Sequence, residues 1–297
     1  MRVEIIEGVF MKAHAAWAAT LLTAASLLVV QKSLAETWAY AGVDRFSSLT
    51  GAYRSQGVAS DGAQWFFSWR YGVQRTSNGY REVESNYSVW QRKSGIPESI
   101  EALGGNHIGD IDYHAGKIYA PIEDSPDYRN PTIAVYDAAT LRHTGASYRL
   151  PQSDLTQGVP WVAVDGSKNL AYTAEWNNAV RLNVYRLSDF SPIGYIPLQR
   201  PLSRLQGAKV RGDFLYAASD NSTKSIYKIS LLDGSVTEPL QLAQWHDMRD
   251  DQEHELEGLS FRTTPTGETL NVLMVHGSPY DLFGAYTMFF HFTLGSP

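Results

Sequence analysis

Residues 106–123 read NHIGDIDYHAGKIYAPIE. Two short strand-like runs flank Ala115-Gly116, and a short glycine turn between two such runs is the local signature of a β-hairpin. The frame occurs five times. A turn glycine stands six residues after an anchor position: Gln56 before Gly62 in QGVASDG, Asp110 before Gly116 in DIDYHAG, Pro160 before Gly166 in PWVAVDG, and Gln206 before Gly212 in QGAKVRG. The fifth copy, EGLSFRTTPTG from Glu257, has a turn longer by four residues. Anchor spacings of 54, 50, 46 and 51 residues each accommodate one four-stranded blade. The reading is an all-β chain: a five-bladed β-propeller of four-stranded antiparallel blades.

Each turn leads into an aromatic-rich second strand: QWFFSW at 64–69, KIYAPIE at 117–123, NLAYTAEW at 169–176, DFLYAASD at 213–220 and TLNVLMVHG at 269–277. Third strands are expected at YSVWQR from Tyr87, TIAVYD from Thr132, RLNVYRL from Arg181, SIYKISL from Ser225 and YTMFFHFTL from Tyr286. No outer strand follows in the fifth repeat. The strand-like TWAYAGV from Thr37 precedes the first inner strand, and pairing it with the last blade would close the ring and cover an exposed sheet edge.

Residues 1–35 read as a leader instead of fold. After Met11 and Lys12 comes the apolar AAWAATLLTAASLLVV, then QKSLA, which gives a basic n-region, an h-region and a small-residue cleavage site at Ala35. A signal peptide over 1–35, with Met11 as the start, leaves 36–297 as a single propeller domain. The apolar run of 16 residues is short for a spanning helix. No membrane span is therefore expected after leader removal, and the destination is periplasmic or secreted. The chain contains no cysteine, which excludes disulfides, thiolate metal sites and cysteine nucleophiles. A net charge of −6 argues against nucleic acid as a partner. The expected partners are a small-molecule substrate or an envelope component, met by a monomer. Gly-x-Ser-x-Gly, the phosphate-binding Gly-Lys-Ser/Thr loop and His-Glu-x-x-His are all absent.

In a propeller the innermost strands surround one axis, so equivalent positions of different blades become neighbours. The anchors Gln56, Asp110, Pro160, Gln206 and Glu257 should form such a ring, and three residues earlier stand Tyr53, His107, Gln157, Ser203 and His254. Two blades thus share His-x-x-acid, as His107/Asp110 and His254/Glu257. Carboxylates and amides around an axis are ligand types suited to calcium, or to another divalent metal if imidazole takes part. Asp110, Glu257, Gln56 and Gln206 are the candidate metal ligands, and His107 and His254 the candidate bases. Trp161 and Trp176 are expected to grip substrate at the mouth, beside Glu123 and Glu175 at second-strand ends. Asp112 should face the same side as Asp110.

The hairpin motifs QGAKVRGDFLYAASD and LEGLSFRTTPTGETLNVLMV resemble secreted and periplasmic propellers of the gluconolactonase, arylesterase and strictosidine synthase kind. That resemblance implies a central calcium held by the polar residue before the glycine, hence by Gln56, Gln206 and Glu257, with Asp110 as the repeat equivalent. Those proteins usually have six blades. Five blades, and the string DIDYHAGKIYAPIE, look more like calcium-activated nucleotidases or plant-type glutamine cyclotransferases. The implied function is a metal-dependent hydrolase of a small ester, lactone or phosphoester; the alternatives are a non-catalytic envelope-binding module and a cyclotransferase-like enzyme using Glu257.

Overall fold

The computed structural model describes residues 36–88, 93–244, 254–265, 267–277 and 286–295. The proposed leader lies outside them. Five antiparallel sheets follow one another along the chain, each ordered from an inner strand to an outer one. Blade 1 comprises Gly57–Ser60, Trp65–Trp69, Gly72–Thr76 and Glu82–Ser85; blade 3 comprises Ala163–Asp165, Leu170–Thr173, Ala179–Arg186 and Pro192–Leu202. Blade 4 comprises Leu205–Arg211, Phe214–Ser219, Ser225–Ser230 and Val236–Gln241. In blade 2 the inner strand is split into His107–Ile108 and Asp112–His114, followed by Lys117–Glu123, Thr132–Asp137 and His143–Arg149.

Blade 5 is built from both ends of the domain. His254–Thr264, Gly267–His276 and Tyr286–Leu294 are completed by Trp38–Phe46, which pairs antiparallel with Tyr286–Leu294 from Trp38↔Leu294 to Phe46↔Thr287. The expected closure is thereby borne out. Glu36, just before that strand, accepts hydrogen bonds from Tyr216 and Lys228, so the closing strand is also fastened to blade 4.

One strand differs from its sequence reading. The third strand of blade 1 is Gly72–Thr76, and YSVWQR comes after the fourth strand, with Ser88 bridged to Lys93 and residues 89–92 outside the described set. A second tight hairpin, turning at Arg70-Tyr71, had no turn string to announce it.

The inner hairpin of blade 2 turns on Ala115 and Gly116, both at positive φ (48° and 77°). That pair of angles belongs to the turn whose twist matches antiparallel strands. The hydrophobic core lies between blades. Ile108, Ile118 and Ile122 of blade 2 share a cluster with Phe66 and Val73 of blade 1, and Leu256, Leu259 and Val272 of blade 5 share one with Tyr216 and Ile226 of blade 4. Second strands such as Lys117–Glu123 are buried along almost their whole length, because both faces of a blade are covered by its neighbours.

Candidate functional site

The inner strands lose regular pairing where the anchors stand. A bulge falls at Gln206, another at Glu257-Gly258, and blade 2 breaks between Ile108 and Asp112. Bulges re-aim side chains out of the alternating pattern. Gln56, Pro160, Gln206 and Glu257 consequently line one opening, which divides into lobes of about 400 Å³ and about 210 Å³ sharing Arg70, His107, Gln206 and Glu255. Trp69 and Tyr71 wall the larger lobe, Trp176 and Tyr128 the smaller.

At the boundary of the lobes one chain of hydrogen bonds joins three blades. His107 Nδ1 is 2.9 Å from Glu123 Oε1, its cross-strand partner, and His107 Nε2 is 2.6 Å from Gln56 Oε1. Gln56 Nε2 donates to Glu257 Oε1 at 3.4 Å. The second oxygen of Glu123 accepts the backbone N–H of Val159 at 2.9 Å, which fixes the carboxylate and, through it, the imidazole. Glu257 is buried, and burial lifts its carboxyl well above the ordinary range, with the charges of Glu255, Asp220 and Asp110 adding to the effect. Raising the carboxyl favours its protonated form, which can donate a hydrogen bond. Turning the Gln56 amide by 180° lets Glu257 donate to its oxygen while its NH₂ donates to a neutral His107, at the loss of the Nε2–H bond to Ser55 O at 3.0 Å. The two amide orientations correspond to two proton arrangements over the same atoms.

Asp110 lies below this chain and is fully buried. Its Oδ1 accepts the N–H of Val58 at 2.9 Å, and its Oδ2 accepts the N–H of Ala208 at 3.1 Å and the Lys209 ammonium at 2.6 Å. Its own main chain bonds blade 3 through Pro160 O and Val162 N. Burial pushes the Asp110 carboxyl up to about 7 against the pull of Lys209. Asp112 is likewise committed, to Val164 N at 2.8 Å. Calcium requires six to eight oxygens around one point. Here both Asp110 oxygens are taken by N–H donors, Gln206 turns to Glu255 at 2.7 Å, and among the described residues no three His, Cys, Asp or Glu side chains are grouped to hold a metal ion. The donor set Asp110, Glu257, Gln56 and Gln206 does not fit a divalent cation.

The remaining candidates separate. Trp176 lines the smaller lobe. Trp161 is not at the mouth: it is completely buried among Ala163, Tyr172 and Leu205, because strand alternation turns the residue after Pro160 away from the axis. His254 is buried and pairs with His276, Nε2 to Nδ1 at 3.0 Å, while its carbonyl accepts Lys224 Nζ; it lines neither lobe. Glu175 caps Thr156 within blade 3. Asp220, which follows the second strand of blade 4, is buried; its Oδ1 accepts Leu256 N of blade 5, the counterpart of the Glu123–Val159 bond between blades 2 and 3. Sequence reasoning missed Arg70, Trp69, Tyr71 and Lys209. For Lys209 a signal existed: the equivalent inner-strand positions hold Ala59, Tyr113, Ala163 and Ser260.

No family model and no curated protein matches the chain. Among solved structures it is similar to hydrazine synthase of Kuenenia stuttgartiensis (14% identity, TM-score 0.42, covering 75% of this chain and 56% of that one). It is also similar to the computationally designed Ika8 protein (12%, 0.37, 77% and 56%) and to the tail fiber of Staphylococcus aureus phage P68 (16%, 0.48, 86% and 52%). The chain spans little more than half the length of each. The propeller assignment rests on its own strand topology.

Proposed function

We propose that the protein is an exported hydrolase of a small ester or lactone that works by acid–base chemistry at the channel mouth. The observation that carries this reading is the link through Gln56 between a carboxylate-held imidazole, His107, and a buried carboxyl, Glu257, at the boundary of an aromatic-walled cleft. His107 Nε2, released from Gln56, takes a proton from the attacking water while Glu123 keeps the Nδ1–H in place. Glu257 donates a hydrogen bond to the carbonyl oxygen and then its proton to the leaving oxygen. The proton gained by His107 and the proton lost by Glu257 balance over one turnover, and solvent at the mouth resets both groups.

The test is hydrolysis of a panel of aryl esters and γ- and δ-lactones by the protein beginning at Glu36, with and without chelator. Turnover that survives chelation and disappears in Glu257→Gln supports the proposal; turnover that requires added calcium would restore the metal-dependent alternative. A second reading, cyclisation of an amino-terminal glutamine, is favoured by the same buried acid, and a glutaminyl peptide belongs in the panel. Binding without turnover of any compound would favour an envelope-binding module. Export rests on the leader sequence, and the chain recovered from the cell envelope or medium is expected to begin at Glu36.

A further inference from the structure

We infer that Lys209 is the propeller's own channel cation, an internal ammonium standing where the sequence pattern leads one to expect a metal ion. Among the described residues, Asp110 is the one anchor whose side chain accepts backbone N–H groups from two other blades. It receives N–H groups from Val58 in blade 1 and Ala208 in blade 4, while Val162 in blade 3 donates to its main-chain oxygen; all three donors stand two residues after their anchors. Room for the carboxylate exists because its neighbours are glycines. A Cβ at Gly57 would lie 2.4 Å from Asp110 Cα, one at Gly207 would lie 2.7 Å from Oδ2, and one at Gly258 would lie 2.6 Å from Oδ1.

One residue thus touches all five blades, counting its own. A carboxylate sealed inside such a ring is costly unless a charge and donors compensate it. Lys209 supplies the charge: its Nζ is 2.6 Å from Asp110 Oδ2 and 3.1 Å from Ala208 O, in a side chain only 5% exposed. The pair closes the axis beneath the mouth. With the charge supplied from within the chain, ring closure needs no ion from solution.

This inference is independent of the proposed hydrolysis, because its readouts are unfolding and metal content. The first measurement is thermal unfolding of the protein from Glu36, after chelation and with added calcium, beside metal analysis. An unchanged Tm and metal below stoichiometry are expected. A chelator-induced fall in Tm with a bound divalent ion would overturn the inference. The second is a double-mutant cycle of Lys209→Met and Asp110→Asn. Each single variant should lose on the order of 10 °C in Tm, since each strands a buried polar partner, and the double variant should lose less than the sum of the two. Purely additive losses would overturn it. If Lys209→Met does not fold, Lys209→Arg keeps the charge and should fold with a smaller loss, whereas an equal failure of Arg would show that shape and not charge is what the position needs.

Discussion

Blades 2 and 5 carry the same His-x-x-acid spacing, His107/Asp110 and His254/Glu257, and use it in opposite ways. In blade 2 the histidine opens to the mouth, its side chain 25% exposed, and the acid is sealed beneath. In blade 5 the histidine is sealed against His276 and the acid lines the mouth. Cross-strand neighbours explain the histidines: His107 faces a carboxylate, Glu123, and His254 faces another imidazole, His276. Interrupted pairing explains the acids. Blade 2 leaves the ladder before Asp110 and bridges in parallel to Trp161, whereas blade 5 continues past Glu257 with a bulge. Spacing brings a residue to the channel; local pairing decides which way it points.

The strongest way to break this contrast is to truncate the two acids. Asp110→Ala leaves a buried ammonium and two backbone N–H groups without their acceptor, a loss of about 3–5 kcal/mol or more, which is a large part of an ordinary domain's stability. We expect it to be largely unfolded in circular dichroism, with Glu257→Ala folded. Two well-folded variants would contradict the assignment of Asp110 as the tie between blades.

The two histidines sharpen it next. His107→Ala should lower kcat by about 10²–10⁴-fold on whichever ester or lactone is turned over. His254→Ala should leave kcat within about two-fold and show its effect in Tm, through loss of packing against His276. Equal kinetic losses would mean that both motifs serve chemistry.

A smaller effect, opposite in sign, is expected from Glu257→Gln. The native carboxyl is raised, so above about pH 4.5 the unfolded chain ionises while the folded one does not. Folding stability contributed by this group falls by about 1.4 kcal/mol per pH unit from there until the folded carboxyl titrates. The glutamine variant should therefore melt higher than the parent, with a gain that grows as pH rises, while losing turnover. Denaturation from pH 5 to 8 measures this, and a constant difference would show that Glu257 is ionised throughout. Trp176→Ala, smallest of all, should raise KM about 2–10-fold with kcat little changed, as expected for loss of one aromatic contact at the mouth.

Much of the fold was legible because a hairpin's turn and alternation are local. Gly62, Gly116 and Gly212 mark where inner strands reverse, and all three adopt positive φ. Blade closure was legible from a missing strand and a spare one. The site was legible only in part. Repeat alignment placed Gln56 and Glu257 on one channel, as metal ligands, with His107 three residues before an anchor; Glu123 enters as the cross-strand partner of His107, and Arg70 and Tyr71 belong to the second hairpin of blade 1, which no turn string announced. Trp161 was misplaced by one step of strand alternation. Lys209 shows a further limit: repeat alignment identifies the acids around an axis, and only the hydrogen bonds tell whether their counter-charge comes from solution or from the chain.

The central claim is that the mouth acts through Glu257 and His107 without a metal. The direct measurement is steady-state hydrolysis of the best ester or lactone in the panel by exhaustively chelated protein, beside Glu257→Gln treated in the same way. Full turnover in the chelated parent with loss in the variant is the predicted result. Loss on chelation restored by calcium, or equal turnover in parent and variant, would contradict it.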